Sequence, residues 1–168
     1  MLDHLAQAGA RRIALLTVDL PIAWAIECLE AYESWCAEND REPLVVPANP
    51  HMPGEDAYSR ASALLDASDP PDAILASDER YPSGVIRAAR ERDIRIPAEL
   101  MVATGIDGHE ARQASPAVTA IDIRPALQGA LAAEILIARL AGTPVQAPRT
   151  TPAKLHIRAS TKRDLANA

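Results

Sequence analysis

The sequence predicts an α/β fold in which a mainly parallel sheet carries helices on both faces. Short apolar runs typical of buried parallel strands occur at 13–17, 44–46, 73–76 and 101–103. Between them lie longer segments in which apolar residues recur every three or four positions, the pattern of an amphipathic helix. Strands that alternate with helices in this way predict right-handed crossovers between neighbouring parallel strands.

Glycine and proline residues separate the predicted helices and strands in the first half of the chain. Residues 2–8 are predicted to form a short helix closed by Gly9. After the strand at 13–17 and a loop through Asp19 and Pro21, a helix stripe is marked by Ile22, Ile26, Leu29 and either Glu33 or Cys36. The strand at 44–46 leads into a proline-rich loop that begins at Pro47. The next helix carries the stripe Tyr58, Ala61, Leu64 and Leu65.

The segment 70–108 predicts a βαβ unit. A strand at 73–76 is followed by Asp78, a natural N-cap for a helix with Pro82 in its first turn. That helix has an apolar stripe formed by Tyr81, Val85, Ala88 and Ala89. The strand at 101–103 then leads to the turn 105–108, which contains Asp107. Because ligands bind at the carboxyl ends of parallel strands, Asp78 and Asp107 are the first candidates for a functional site.

The last third predicts one long helix between two strands. Residues 110–116 are expected to form a loop or a single helical turn, and 118–123 a strand of alternating type. Pro125 opens an apolar helix that runs to about residue 141, with Gly142 after it. A loop at 143–152, an alternating strand at 154–157 and a polar, frayed tail complete the chain.

The composition excludes several classes of protein. The 168 residues suffice for one domain, and a net charge of −6 with a pI near 5.2 argues against direct nucleic-acid binding. No apolar run reaches the length of a membrane span, and the N-terminus lacks the apolar core of a secretory signal. The two cysteines form no CxxC motif. A protein of the reducing cytoplasm, without membrane contact, is therefore expected.

Seven segments stand out by their order and spacing: HLAQAGARRIALL at 4–16, LEAY at 29–32, AYSRASALL at 57–65, PPDAILASD at 70–78, IPAELMVATGIDG at 96–108, PAVTAIDI at 116–123 and LHIRAST at 155–161. Together they resemble the effector-binding domain of the lac-repressor (LacI/GalR) family of transcription regulators. The resemblance covers nearly the whole chain. It implies a Rossmann-like subdomain similar to periplasmic sugar-binding proteins.

The resemblance also implies a domain organisation. Residues 1–163 correspond to the effector-binding domain, mostly its C-terminal subdomain, and 164–168 to a tail. The segment 124–142 crosses to an N-terminal subdomain, and a helix-turn-helix domain reads operator DNA; both lie outside this chain. The family further implies a homodimer, with helices 54–67 and 79–92 as the dimer surfaces. Without a second subdomain, the helix at 125–141 is expected to fold back on its own subdomain or to pack against a second chain.

The resemblance assigns ligand contacts in an inter-subdomain cleft that binds a sugar or similar effector. Asp107 matches an aspartate that accepts hydrogen bonds from the ligand; alternatively, its carboxylate closes an Asx-turn. Asp78 matches a ligand-site aspartate or only caps its helix, and Ser77 replaces the Asn that the family places before it. The remaining candidates lie in the earlier part of the chain and are Met52, His51, Trp24, Asp19 and Cys28.

Each of these earlier candidates has a plain alternative. Met52 contacts the ligand ring or only packs, His51 binds ligand or faces solvent, and Trp24 stacks on the ligand or belongs to the core. Asp19 lies in the same loop as Trp24 and faces the cleft if the fold is as predicted. Cys28 replaces an Arg that clamps the ligand in many family members. A neutral thiol cannot form bidentate hydrogen bonds, so a less polar ligand or a loss of ligand control follows.

No pattern predicts an enzyme or a cofactor. The four histidines lack zinc-ligand spacing, and the chain has no GxSxG, GxGxxG or P-loop pattern. A magnesium site at Asp78 and Asp107, as in receiver or phosphatase folds, is disfavoured because neither residue lies directly at the end of the first strand. We therefore predict the ligand-sensing domain of a transcriptional regulator, a repressor in type. The alternative is a solute-binding protein of a sugar transporter.

Overall fold

A six-stranded sheet with helices on both faces forms the protein, whose computed structural model describes residues 1–145 and 150–163. In chain order the elements are α1 (Leu2–Gln7), β1 (Ile13–Val18), α2 (Ala23–Glu38), β2 (Leu44–Ala48), α3 (Pro53–Leu65), β3 (Ala73–Ala76), α4 (Tyr81–Arg90), β4 (Met101–Thr104), α5 (His109–Gln113), β5 (Thr119–Asp122), α6 (Pro125–Leu140) and β6 (Lys154–His156). A 3₁₀ turn follows at Ala159–Thr161.

The strand order is β2-β1-β3-β4-β5-β6, and every pairing is parallel except that of β5 with β6. The predicted mainly parallel sheet is therefore confirmed. Because five neighbouring strands run in one direction, the loops that follow them all emerge at one edge of the sheet.

Both faces of the sheet are buried. Alternate side chains of β1 point in opposite directions: Ala14 and Leu16 join the core layer under α3 and α4. Ile13 and Leu15 join a second layer under α1 and α2, where Tyr32 is only 1% exposed. The prediction of helices on both faces is confirmed, and the double burial explains why β1 is a continuous apolar run.

Helices α3 and α4 are in close backbone contact at Gly84. A methyl group added at this position would lie 2.6 Å from the backbone nitrogen of Tyr58, and closer still to the carbonyl oxygen of Gly54. The predicted stripe of α4 is confirmed, since Tyr81, Val85, Ala88 and Ala89 are fully buried. On the outer surface, Arg87 forms a bidentate ion pair with Glu55, which ties the two helices together.

Several predicted details are wrong. Asp78 is not the N-cap of α4: that position is Arg80, and the Asp78 carboxylate accepts a hydrogen bond from the Arg80 backbone N–H instead. Strand β2 continues through Pro47 to Ala48, which is possible because β2 lies at the edge of the sheet. Strand β5 lacks the predicted alternation, since its first two residues are both buried between β4 and the flanking elements. By contrast, the predicted loop or single helical turn at 110–116 is confirmed, since residues 109–113 form the short helix α5.

Helix α6 does not fold back on its subdomain, which corrects one of the two expectations for it. None of its residues is buried within the described part of the chain. Leu127, Leu131 and Ile135 are half-buried, and Leu140 is 80% exposed. The helix is attached at its first turn, where the Gln128 side chain donates to the carbonyl oxygen of Ile123. The other expectation, contact with a second chain, stays a prediction.

The predicted loop 143–152 and the predicted frayed tail lie partly outside the described residues, which omit 146–149 and 164–168. Within the described ranges, none of the helices has the length and apolar character needed to cross a bilayer.

Candidate functional site

The loops after β1, β2, β3 and β4 form a continuous edge. Backbone hydrogen bonds join the strand ends in order: Asp19 N to the Ala48 oxygen at 2.9 Å, Ser77 N to the Leu16 oxygen at 2.9 Å, and Gly105 N to the Ala76 oxygen at 2.8 Å. This strand-end edge therefore brings together seven of the candidates: Asp19, Trp24, His51, Met52, Ser77, Asp78 and Asp107. Trp24 lies in the first turn of α2 and not, as predicted, in the loop after β1.

Three of the loops at this edge begin with the same kind of turn. A side-chain oxygen accepts the backbone N–H two residues later in Asn49–His51 at 2.9 Å, Asp78–Arg80 at 2.9 Å and Asp122–Arg124 at 2.7 Å. Such Asx-turns end the strand and change the direction of the chain through a local side-chain to backbone hydrogen bond. His51 is exposed, as its solvent alternative predicted.

Asp107 lies at the centre of an arginine cluster. Arg158 Nη2 donates to Asp107 Oδ1 at 2.7 Å, and Arg112 donates to Oδ2 through Nε at 3.2 Å and Nη2 at 3.0 Å. The carboxyl side chain is only 4% exposed. The predicted Asx-turn at Asp107 is wrong, because the carboxylate instead accepts hydrogen bonds from the two guanidinium groups.

Asp78 is bound in the same manner by one arginine. Arg80 donates to its two carboxylate oxygens through Nε at 2.8 Å and Nη2 at 2.7 Å. The Asp78 side chain is 14% exposed, whereas that of Arg80 is 44% exposed. Both candidate carboxylates therefore already have charged partners from their own chain.

These ion pairs shift the acidity of both carboxyl groups. Burial favours the neutral acid, but in Asp107 the hydrogen bonds and charges of Arg112 and Arg158 outweigh it and hold the pKa below its usual value of 3.8. In Asp78, burial is likewise outweighed by the side-chain and backbone hydrogen bonds from Arg80, and the pKa is lowered. The charged form of each carboxyl group is thus favoured by folding.

We expect stability to fall with acid in a way that depends on Asp107. A lowered folded-state pKa stabilises the fold fully above the ordinary pKa of 3.8, and this contribution is lost as the pH falls through the lower folded-state pKa. Urea unfolding midpoints measured from about pH 6 down to about pH 3 should therefore decline more steeply for the wild type than for Asp107→Asn. Equal slopes for the two proteins would contradict this assignment.

Apolar side chains dominate the β1 and β2 end of the edge. Met52 is 59% exposed, Leu20 41%, Trp24 40% and Ile22 37%. The core alternative for Trp24 is therefore wrong, and packing within the fold does not account for Met52. Large apolar groups left in water at the carboxyl ends of parallel strands are candidates for ligand contact.

Two buried hydroxyl groups lie at the strand-end edge, and the remaining candidate, Cys28, lies on α2. The side-chain oxygens of Thr17 and Ser77 are buried without a hydrogen-bond partner among the described residues. Their residues follow the paired Leu16 and Ala76 on neighbouring strands, so they lie at the same level of the sheet. Cys28 is on α2 and solvent-accessible, and partial desolvation, followed by the charge of Glu27, raises the pKa of its thiol. The thiol is thus neutral at pH 7.

Sequence reasoning missed the three arginines that hold the carboxylates. Arg80 and Arg112 are two and five residues after their partners, so local charge pattern was a usable signal for both. Arg158 is 51 residues from Asp107 and reaches it from the segment after β6, for which the sequence holds no signal.

The strand-end edge presents groups that can contact a ligand. Among residues 1–145 and 150–163, no group of three or more His, Cys, Asp or Glu side chains is placed to hold a metal ion. The strand-end edge offers apolar surface, two neutralised carboxylates and buried hydroxyls, and it is open on its outer side.

Comparison with known proteins supports this interpretation. Residues 2–161 match the family described as periplasmic binding protein-like domain. The chain belongs to this family. Its matched relatives are transcription regulators. The lactose operon repressor of Rhizobium radiobacter is 31% identical over 113 residues, which are 67% of this chain and all of that relative.

Solved structures of LacI-type regulators share the fold. A LacI family transcriptional regulator from Bifidobacterium animalis subsp. lactis has a TM-score of 0.89 at 22% identity, over 95% of this chain and 58% of that one. The lac repressor dimer bound to operator and the anti-inducer ONPF has a TM-score of 0.86 at 22% identity, over 95% and 48%. The chain thus spans about half the length of these regulators.

The chain is therefore a periplasmic binding protein-like domain of the LacI family. The fold class and family predicted from the sequence are confirmed, and the relatives do not favour a transporter's solute-binding protein. The ligand-contact roles assigned to the candidate residues stay predictions.

Proposed function

We propose that residues 1–163 are the sensing and dimerising part of a cytoplasmic repressor, in which a small effector such as a sugar controls DNA binding. The observation that carries this is the position of α6. The helix leaves the sheet beside the strand-end edge, directly after the Asx-turn at Asp122, and the side chains of its apolar stripe are only half-buried. A second subdomain reached through 124–142 would cover that stripe and close the cleft over the edge.

Burial of the stripe favours this arrangement. Moving Leu127, Leu131 and Ile135 from half-buried to fully buried would contribute about 1 kcal/mol each, since complete burial of such a side chain contributes about 1.5–3 kcal/mol. The effector would then bind between two subdomains, and its contacts with both would favour the closed form.

DNA contact is assigned to a helix-turn-helix domain outside residues 1–168. The net charge of −6 opposes contact between this domain and phosphates. The homodimer would form through the outer surfaces of α3 and α4. Between α4 and α5 lies a groove of about 470 Å³ lined by Pro82, Ile86, Arg90 and His109, which a second copy can fill. No enzymatic activity and no cofactor are part of the proposal.

A DNA-binding assay on the natural full-length protein tests this function. We expect it to be a dimer by light scattering and to bind a DNA fragment from upstream of its own gene. A chain limited to residues 1–168 should not shift that fragment at about 0.15 M salt. Failure of the full-length protein to bind, or binding by residues 1–168 alone, would contradict the proposal.

A further inference from the structure

The two carboxylates of the strand-end edge are covered by their own arginines. The Asp107 side chain is 4% exposed and the Arg112 side chain above it 58% exposed. For Asp78 and Arg80 the values are 14% and 44%. An incoming ligand therefore meets the exposed guanidinium groups of Arg80 and Arg112 before it meets the carboxylates.

Sugar hydroxyls would lose their strongest acceptors in this arrangement. A hydroxyl gains most when it donates to an ionised carboxylate, and here each carboxylate already accepts a bidentate or branched set of guanidinium hydrogen bonds. Binding a sugar hydroxyl would require breaking one of these charge-assisted bonds. Cys28, a neutral thiol, offers no replacement.

The other half of the edge is apolar. The sheet order places the β2 and β1 ends on one side of the β3 and β4 ends, so Met52, Leu20, Ile22 and Trp24 lie beside the arginine-held carboxylates. Trp24 presents a flat π-surface, and Met52 is a polarisable side chain suited to aromatic contact. These side chains favour a ligand with a flat apolar face.

Two small polar groups remain at the floor of the edge. The hydroxyls of Ser77 and Thr17, residues only 5% and 6% exposed, have no partner among the described residues. A buried hydroxyl without a partner is costly, and a ligand that carries one hydroxyl group would satisfy one of them. The strand-end edge therefore favours a ligand with few polar groups.

We propose that Arg80 and Arg112 determine the ligand class, by occupying Asp78 and Asp107 and so selecting an aromatic alcohol over a polyhydroxylated sugar. This rests on the proposed effector-sensing function.

Calorimetric titration of the natural full-length protein with benzyl alcohol, 4-hydroxybenzyl alcohol, D-galactose and lactose tests the ligand class. We expect at least one aromatic alcohol to bind at least about tenfold more tightly than either sugar, and to quench Trp24 fluorescence in a Trp35→Phe background. Tighter binding of a sugar would overturn this ligand class and leave the sensing function intact. Binding of neither class, together with DNA binding that none of the four compounds alters, would contradict both.

Substitution of the arginines tests their role. The double variant Arg80→Gln, Arg112→Gln frees carboxylate oxygens, and we expect the affinity for D-galactose or lactose to rise at least about tenfold. The control is Arg95→Gln, which removes a similar exposed pair, with Glu99, before β4 at the opposite end of the sheet. Circular dichroism establishes that each variant is folded. Unchanged sugar affinity in the folded double variant would overturn the assignment.

Discussion

Replacing Asp107 with alanine is expected to lower the free energy of unfolding by about 3–5 kcal/mol, the cost of breaking a buried ion pair from one side. Arg158 is 19% exposed and would keep its charge without the carboxylate that balances it. Its other guanidinium nitrogen holds the carbonyl oxygen of Val118, so the segment after β6 would lose part of its attachment to the β4–β5 region. Urea unfolding followed by circular dichroism measures the effect.

Asp66→Ala is the matched control. The Asp66 carboxylate forms an equally good bidentate pair with Arg92, at 2.8 and 2.7 Å, but its side chain is 63% exposed. Exposed pairs contribute about 0–1 kcal/mol, so this variant should be nearly as stable as the wild type. If the two alanine variants are destabilised equally, burial of the Asp107 carboxylate does not strengthen its ion pairs.

Gly84→Ala is expected to destabilise the protein by about 1–3 kcal/mol, although alanine is the better helix former. The added methyl would overlap backbone atoms of α3, which cannot rotate away as a side chain can. Helices α3 and α4 would have to separate, and the buried residues Ala57 and Ala61 would lose contacts with α4. The thermal unfolding midpoint should fall accordingly.

Gly129→Ala, by contrast, is not expected to destabilise the protein. Gly129 is also inside a helix, α6, and among the described residues no heavy atom lies within 4 Å of the added methyl. The substitution should leave stability unchanged or raise it by about 0.5–1 kcal/mol, through helix propensity alone. A Gly84→Ala protein as stable as Gly129→Ala would show that α3 and α4 can move apart freely.

The strands and helices could be predicted because the apolar period reports burial directly. Both faces of β1 are covered, so its sequence is continuously apolar. Helix α4 is covered on one side, so its apolar residues recur every three or four positions. The extension of β2 through Pro47 could not be predicted, because an edge position is a property of the assembled sheet. Which of the two expectations for α6 holds could not be predicted for a related reason, because an apolar stripe indicates that something packs on the helix but not what does so.

The candidate site was only half predictable. The positions of Asp78 and Asp107 after parallel strands follow from the βαβ pattern, and the structure places both at one edge. Arg80 and Arg112 lie near their partners in the sequence, but whether they pair with them depends on side-chain rotamers. No local pattern indicates that Arg158, which is 51 residues away, also binds Asp107. Whether these residues bind ligand stays a prediction.

The proline in β2 also limits how copies of this protein can associate. Strand β2 is one margin of the sheet, and at Pro47 it lacks the N–H that a further strand would need. At the other margin, β6 has only three residues and includes an exposed lysine. Neither margin offers a template on which strands from other molecules could be added in succession. Fibril-like stacking through the sheet is thereby disfavoured, and contact between copies is left to the helices.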